Sequence, residues 1–249
     1  FGAMLGVALA ASAFFRTART TLVALLGFWI FACLIAPRVA ADVSERVYPA
    51  PSRVEFWRDV SREMSEGIDG HNPTDRRREE LKQRVLAQYG VGRVEDLPVN
   101  FGGISLQAGE EHGDRVFDRH YGRLWTAYER QNRVHEIAAL IAPLVAIRNV
   151  SMGVAGTDWW AHKDFARAAE EYRRTLQRQL NDNITFNSRT GQTYLANASL
   201  WSQAAPFEYE PLVLSRVVRH HALSFALLVV WCVAAAALAF FAAKRVRLD

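Results

Sequence analysis

Twenty-two consecutive residues, Ala222 to Ala243 (ALSFALLVVWCVAAAALAFFAA), carry no charge. A helix rises about 1.5 Å per residue and a bilayer's hydrocarbon core is about 30 Å thick, so this stretch is long enough to span. Thr20–Ala36 (TTLVALLGFWIFACLIA) is shorter, but Val39–Ala41 extends it past Pro37 if Arg38 snorkels to the headgroups. A buried helix of a soluble core is the alternative, and it would have to be apolar on every side. Phe1–Phe15 is also apolar and stops at Arg16; it reads as the end of a spanning helix that begins upstream. A signal peptide cleaved near Val39–Ala41 fits less well, because two apolar stretches flank Arg16 and Arg19.

Charge divides the chain at the same places. Of 30 basic and 26 acidic residues, Arg16, Arg19, Lys244, Arg245, Arg247 and Asp249 lie outside the region from Arg38 to His221, which is left with 25 of each sign. The net +4 therefore sits beside apolar segments, where topology signals sit, and not on a folded face as in a nucleic-acid binder. By the positive-inside rule those five basic residues mark the cytoplasmic side and put the middle region outside. Both cysteines, Cys33 and Cys232, fall within the proposed spans, so no disulfide framework is available to the middle region.

The expected fold is mainly α: a polytopic helical membrane protein with a large extracytoplasmic helical domain before the last transmembrane helix. Its parts are a helix end at 1–15, a cytoplasmic loop at 16–19, a span at 20–40, the outer domain at 41–215, a span at 216–243 and a cytoplasmic tail at 244–249. Within the outer domain Ser52 caps a helix to about Gly67, with Val54, Trp57, Val60 and Met64 on one face. After a turn at Gly67–Pro73, Thr74 or Asp75 caps a second helix with Leu81, Val85, Leu86 and Tyr89 inward, ending at Gly90. Arg76, Arg77 and Arg78 read as a solvated face. Pro98 and the Gly102-Gly103 pair make Val91–Leu106 an extended strap. A long helix from about Glu110 carries Phe117, Tyr121, Leu124 and Tyr128 at helical spacing. Ile137–Ala155, broken by Pro143 and Gly153, is either a core helix or a segment on the bilayer surface. Thr157 or Asp158 caps a helix to about Leu180 with Phe165, Ala169, Tyr172 and Leu176 inward; Asn181–Ser202 reads as loop, and Leu212–Arg219 continues into the last span as one helix.

Chemistry-bearing motifs are sparse. Glu111-His112, His120, His135-Glu136 and His162 lack the His-x-x-x-His spacing that puts two imidazoles on one helix face, and His220-His221 abuts the last span, among headgroups. No phosphate-binding Gly-x-x-x-x-Gly-Lys-Ser/Thr loop, serine nucleophile elbow or cysteine outside the spans is found, so neither an enzyme nor a resident cofactor is expected. The most specific string is Gly156-Thr157-Asp158 followed by His162 and Phe165 (GTDWWAHKDF). Physically it is a helix start, with Asp158 one turn before His162 and able to pair with it.

Together with Tyr48-Pro49-Ala50-Pro51, with the stretch from Val94 to Gly103 (VEDLPVNFGG) and with Ala168–Arg173 (AAEEYR), that string resembles the uncharacterised domain of bacterial ABC-2 type permeases. The resemblance covers nearly the whole chain, including the Phe-Arg-Thr-Ala-Arg-Thr-Thr connection and the basic tail. It implies the membrane subunit of an exporter in the bacterial inner membrane, paired with a second permease subunit and served by a separate ATPase that binds the ATP. No catalytic role comes with it, and the family's earlier helices and ATPase-contacting element are not among these residues. A membrane-anchored sensory or adaptor domain is the alternative of a different class, and a periplasmic metal or redox enzyme a third.

Overall fold

A computed structural model describes residues 2–69, 72 and 74–245, the last by its backbone. Among these residues the fold is helical, without strands, and divides into two compact units. One comprises residues 1–50, 126–164 and 210–249; the other comprises 51–125 and 165–209. This division differs from that at 41 and 215, since residues 126–164 cluster with the apolar helices.

The apolar unit begins with α1 (Gly2–Phe14), followed by α2 (Ala18–Ile30), a π turn at Phe31–Ile35 and α3 (Ala36–Val47). The last three form one helix of 30 residues, about 45 Å long. Thr17 caps it, accepting a hydrogen bond from the Thr20 amide. Pro37 would meet the carbonyl four residues back and offers it no N–H; the wide turn before it, closed by the Ala36 amide on the Phe31 carbonyl, relieves that conflict. The helix thus continues past Val39 to Val47, seven residues beyond the boundary expected at 40.

At the other end of the chain α10 (Leu214–His220) and α11 (Ala222–Arg245) are interrupted at His221, so the expected single helix is broken at its entry. Two helices, Ala18–Val47 and Ala222–Lys244, are long and apolar enough to cross a membrane. Only 11% of each apolar window is buried, where the central helix of a water-soluble core would be mostly buried.

Small residues let α1 lie against α11. A Cβ on Gly6 would fall 2.8 Å from that of Ala235 and 2.9 Å from its carbonyl carbon, and Gly2 faces Cys232. Gly2-x-x-x-Gly6 therefore provides the flat face that close approach of two helix backbones needs. Because Gly2 meets Cys232 and Gly6 meets Ala235, the two helices run parallel, which brings Arg16, Arg19 and Lys244 to the same end of the pair. Arg247 lies outside the described residues.

The second unit is built from α4 (Arg53–Ser65), α5 (Arg76–Tyr89), the first part of α6 (Phe101–Ala138), most of α8 (Trp159–Asn187) and α9 (Ala198–Gln203). Ser52 opens α4 through a full capping box with Glu55. Its buried face is Phe56 and Val60, packed on Val116 of α6, while Val54 and Trp57 of the expected face are exposed. Of the Gly67–Pro73 turn, Gly70, His71 and Pro73 lie outside the described residues. Asp75 caps α5, and Gly90, at φ 67°, ends it in a Schellman turn that returns Val91 to Leu86. Arg78 is not solvated as expected: it donates to Ser105 Oγ at 3.0 Å and lies 5.2 Å over the Phe101 ring.

The largest departure concerns Gly102-Gly103, which opens α6 where a strap was expected. Asn100 caps the helix, accepting from the Gly102 amide at 2.8 Å. A Cβ on Gly103 would stand 2.2 Å from Thr185 Oγ1 and 2.8 Å from the Thr185 nitrogen, so the glycine is the notch through which α6 and α8 cross. Contacts of Asp114 with Arg173 and of Asp118 with Arg174, each 2.6 Å, continue that antiparallel pairing. The same crossing explains why α8 extends to Asn187 and not Leu180: Asn181 donates to Gln107 at 3.1 Å, and Thr185 faces the notch. Asn197 caps α9 in the remainder of the expected loop.

The Gly103→Ala variant should lose about 1–3 kcal/mol of stability because the crossing cannot widen freely. Gly122→Ala, with open space beside it, should be neutral or gain up to about 1 kcal/mol. Equilibrium unfolding of the two variants checks this, and equal behaviour would contradict the notch.

Candidate functional site

The site grows from two helix ends. α7 (Pro143–Val154) begins with proline at its first position and ends in a Schellman turn: Gly156, at φ 66°, returns its amide to the Gly153 carbonyl, and the Thr157 amide reaches that of Met152. Asp158 then caps α8, its Oδ1 accepting from the Ala161 amide at 2.9 Å. Gly-Thr-Asp is thus a helix stop followed within two residues by a helix start, as the residue types suggest.

The free oxygen of Asp158 does not go to His162. Its Oδ2 pairs at 2.6 Å with Nε2 of His221, the residue in the break between α10 and α11. Both partners are buried, Asp158 at 8% and His221 at 3% exposure, whereas His162 is exposed. The expectation that His221 sits among headgroups is likewise corrected. Its ring fits because residue 153 is glycine: a Cβ there would lie 2.4 Å from the imidazole. Gly153, which read as a helix breaker, serves as the seat for a side chain.

Around this pair the contacts are aromatic and polar. The His220 ring stacks on Trp160 at 4.3 Å, Lys163 lies over the same Trp160 ring at 5.7 Å and pairs with Glu129 at 3.4 Å, and Trp159 meets Tyr128 edge-on. Asn149 donates to the fully buried Ser224 at 3.4 Å. A buried carboxylate and imidazole stabilise the fold only as a pair, because removing one leaves the other desolvated without compensation. The arrangement therefore acts as a clamp tying the start of α8 and the end of α7 to the entry of α11.

Phe165, the last residue of the string, belongs to the other unit; 45% exposed and not inward, it meets Phe207 and Tyr209 edge-on. Of the remaining histidines, His120 faces the Glu63 carboxylate, which also binds Arg119, and His112 Nε2 donates to the Glu63 carbonyl at 3.0 Å. Among the described residues no three His, Cys, Asp or Glu side chains converge as a metal ion would require. Arg16, Arg19 and Lys244 are exposed, Lys244 lying 4.5 Å over the Phe240 ring. Sequence reasoning missed His221 and Gly153, since only the tertiary fold brings position 221 to 158.

A family model described as "Domain of unknown function (DUF3526)" matches residues 53–210. The chain belongs to this family. The match contains the VEDLPVNFGG, GTDWWAHKDF and AAEEYR strings, so the notch at Gly103 and the Asp158 cap lie within the DUF3526 domain, whereas His221 lies beyond it. No curated protein and no solved structure matches.

Burial, reinforced by Arg115 and Arg77, holds the His112 imidazole below its ordinary value. The folded state therefore binds fewer protons than the unfolded chain, and this contribution is complete above about pH 6.5 and lost as pH falls below it. Denaturant midpoints between pH 7.5 and 5 should fall with pH, and more shallowly in His112→Gln; an unchanged slope in that variant would contradict the assignment.

Proposed function

We propose that this DUF3526 chain is part of the membrane-spanning subunit of an ABC-type exporter, coupling ATP hydrolysis on a separate subunit to extrusion of substrate. The observation that carries the reading is the family match, because DUF3526 domains are found in ABC-2 permease-like proteins. Two helices long enough to cross a membrane, flanking the domain in sequence, support it. So does the parallel pairing of α1 with α11, which collects Arg16, Arg19 and Lys244 at one end, the arrangement that the positive-inside rule associates with the cytoplasm. On this reading the protein resides in the bacterial inner membrane with the DUF3526 domain on the periplasmic or extracellular face. Its partners are lipid, a second permease subunit and an ATP-binding cassette ATPase; it binds no nucleic acid, holds no cofactor and is no enzyme in its own right.

The clamp gives this reading a mechanical element. On this reading the last span is held to the end of α7 and the start of α8, both inside the family match, through a side-chain pair at its entry, so a displacement of α11 acts first on those helix ends. The test is co-purification: the full-length protein, expressed with the ATPase encoded beside its gene, should bring that ATPase down and raise its ATP turnover. Absence of any such neighbouring gene, together with no ATPase on the purified protein, would contradict the proposal.

A further inference from the structure

Positive charge gathers just ahead of the last span. Arg216, Arg219 and His220 share one face of α10 at helical spacing, while Val217 is buried. Both arginines are exposed, and among the described residues neither has a carboxylate partner. Each acts electrostatically on the His220 imidazole, as Asp158 does. Asp158 is already committed to the Ala161 amide and to His221, and Glu129 to Lys163. Arg38, beside the first long span, differs in having Asp42 one turn on at 3.2 Å. Arg216 and Arg219 also lie at the end of α11 opposite Lys244, the end that the positive-inside rule leaves poor in basic residues.

Their level along the helix follows from its rise. The break at His221 keeps helical hydrogen bonds on both sides, from the His221 amide to Val217 and from the Phe225 amide to His221, each 3.0 Å. Arg219 and Arg216 therefore stand about 4.5 Å and about 9 Å ahead of Ala222, the first residue of the span. A headgroup layer is about 5–8 Å deep on each side of the hydrocarbon, so the pair sits in it and at its outer edge. The neighbouring rings suit that level: Trp160 stacks on His220 with 14° between the planes, and Lys163 lies over the same indole.

We propose that Arg216 and Arg219 bind the phosphate of an anionic phospholipid in the leaflet facing the DUF3526 domain, with the Trp160–His220 stack as the wall beside it; this rests on the membrane reading above. Charge complementarity selects the occupant. A guanidinium presents a planar fork of N–H donors that matches phosphate oxygens and is more weakly hydrated than an ammonium, so it exchanges water for phosphate readily. Two of them without an internal carboxylate leave a local surplus that a lipid anion neutralises. The bound headgroup would lie one turn from the Asp158–His221 pair and hold the entry of α11 at a fixed depth.

Hydrogen exchange of the full-length protein in nanodiscs reads the site directly. In phosphatidylcholine discs doped with phosphatidylglycerol, amides of residues 214–221 should exchange about fivefold more slowly than in pure phosphatidylcholine. The Arg216→Gln, Arg219→Gln double variant, in which both replaced side chains are exposed, should lose that difference. Equal exchange in the two discs, or a lipid effect that survives the double variant, would overturn the site. Inorganic phosphate reproducing the protection in pure phosphatidylcholine discs would assign the arginines to a soluble anion and overturn the lipid as occupant. Residues 225–240 should stay protected in every disc, and free exchange there would overturn the membrane reading itself.

Discussion

The carboxylate of Asp158 and the imidazole of His221 meet where three helix ends converge, and the end of α7, the start of α8 and the entry of α11 are all fixed by their contact. Asp158 is committed twice, to the first turn of α8 and to His221, and both oxygens are used. His221 in turn needs a glycine at 153 and a break in its own helix, so the Schellman end of α7 and the interruption before α11 are both accounted for by one side-chain pair. A buried carboxylate left alone would cost several kcal/mol. That cost gives the pair its leverage over the position of the neighbouring helices.

Two packing regimes coexist in the chain. The apolar helices meet through small residues, at Gly6 with Ala235 and in the alanine-rich cluster at 139–146, where the backbones approach closely. In the other unit, aromatic and branched side chains form small cores, at Phe56 and Val116 and at Leu97 and Phe101, and charged pairs line the crossing of α6 and α8. The Asp158–His221 clamp lies wholly within the apolar unit, as its one fully buried ion pair of carboxylate and imidazole among the described residues.

Features encoded within one turn of chain were readable in advance. Ser52, Asp75 and Gly90 cap as their types predict, because a cap is a local hydrogen-bonding problem solved by residues three or four apart. The long apolar stretches and the Phe117–Tyr121–Leu124 stripe followed from periodicity for the same reason. Glycine and asparagine were misread where they serve a partner distant in sequence: Gly103 and Thr185 are 82 positions apart, and Gly153 and His221 are 68 apart. Local rules assign such residues to turns, and nothing local signals a crossing. The Asp158 cap was legible and its histidine was not, since His162 lies at ideal helical spacing while the true partner reaches it only through the fold.

The account's central claim is that Asp158 and His221 act as one unit in holding the entry of the last helix. A double-mutant cycle measures this directly, using Asp158→Ala, His221→Ala and the double variant in reversible unfolding of the full-length protein in mixed micelles. A coupling energy of about 1.5–3 kcal/mol is expected for a buried hydrogen bond to a charged group. Effects that add to within about 0.5 kcal/mol would contradict the claim.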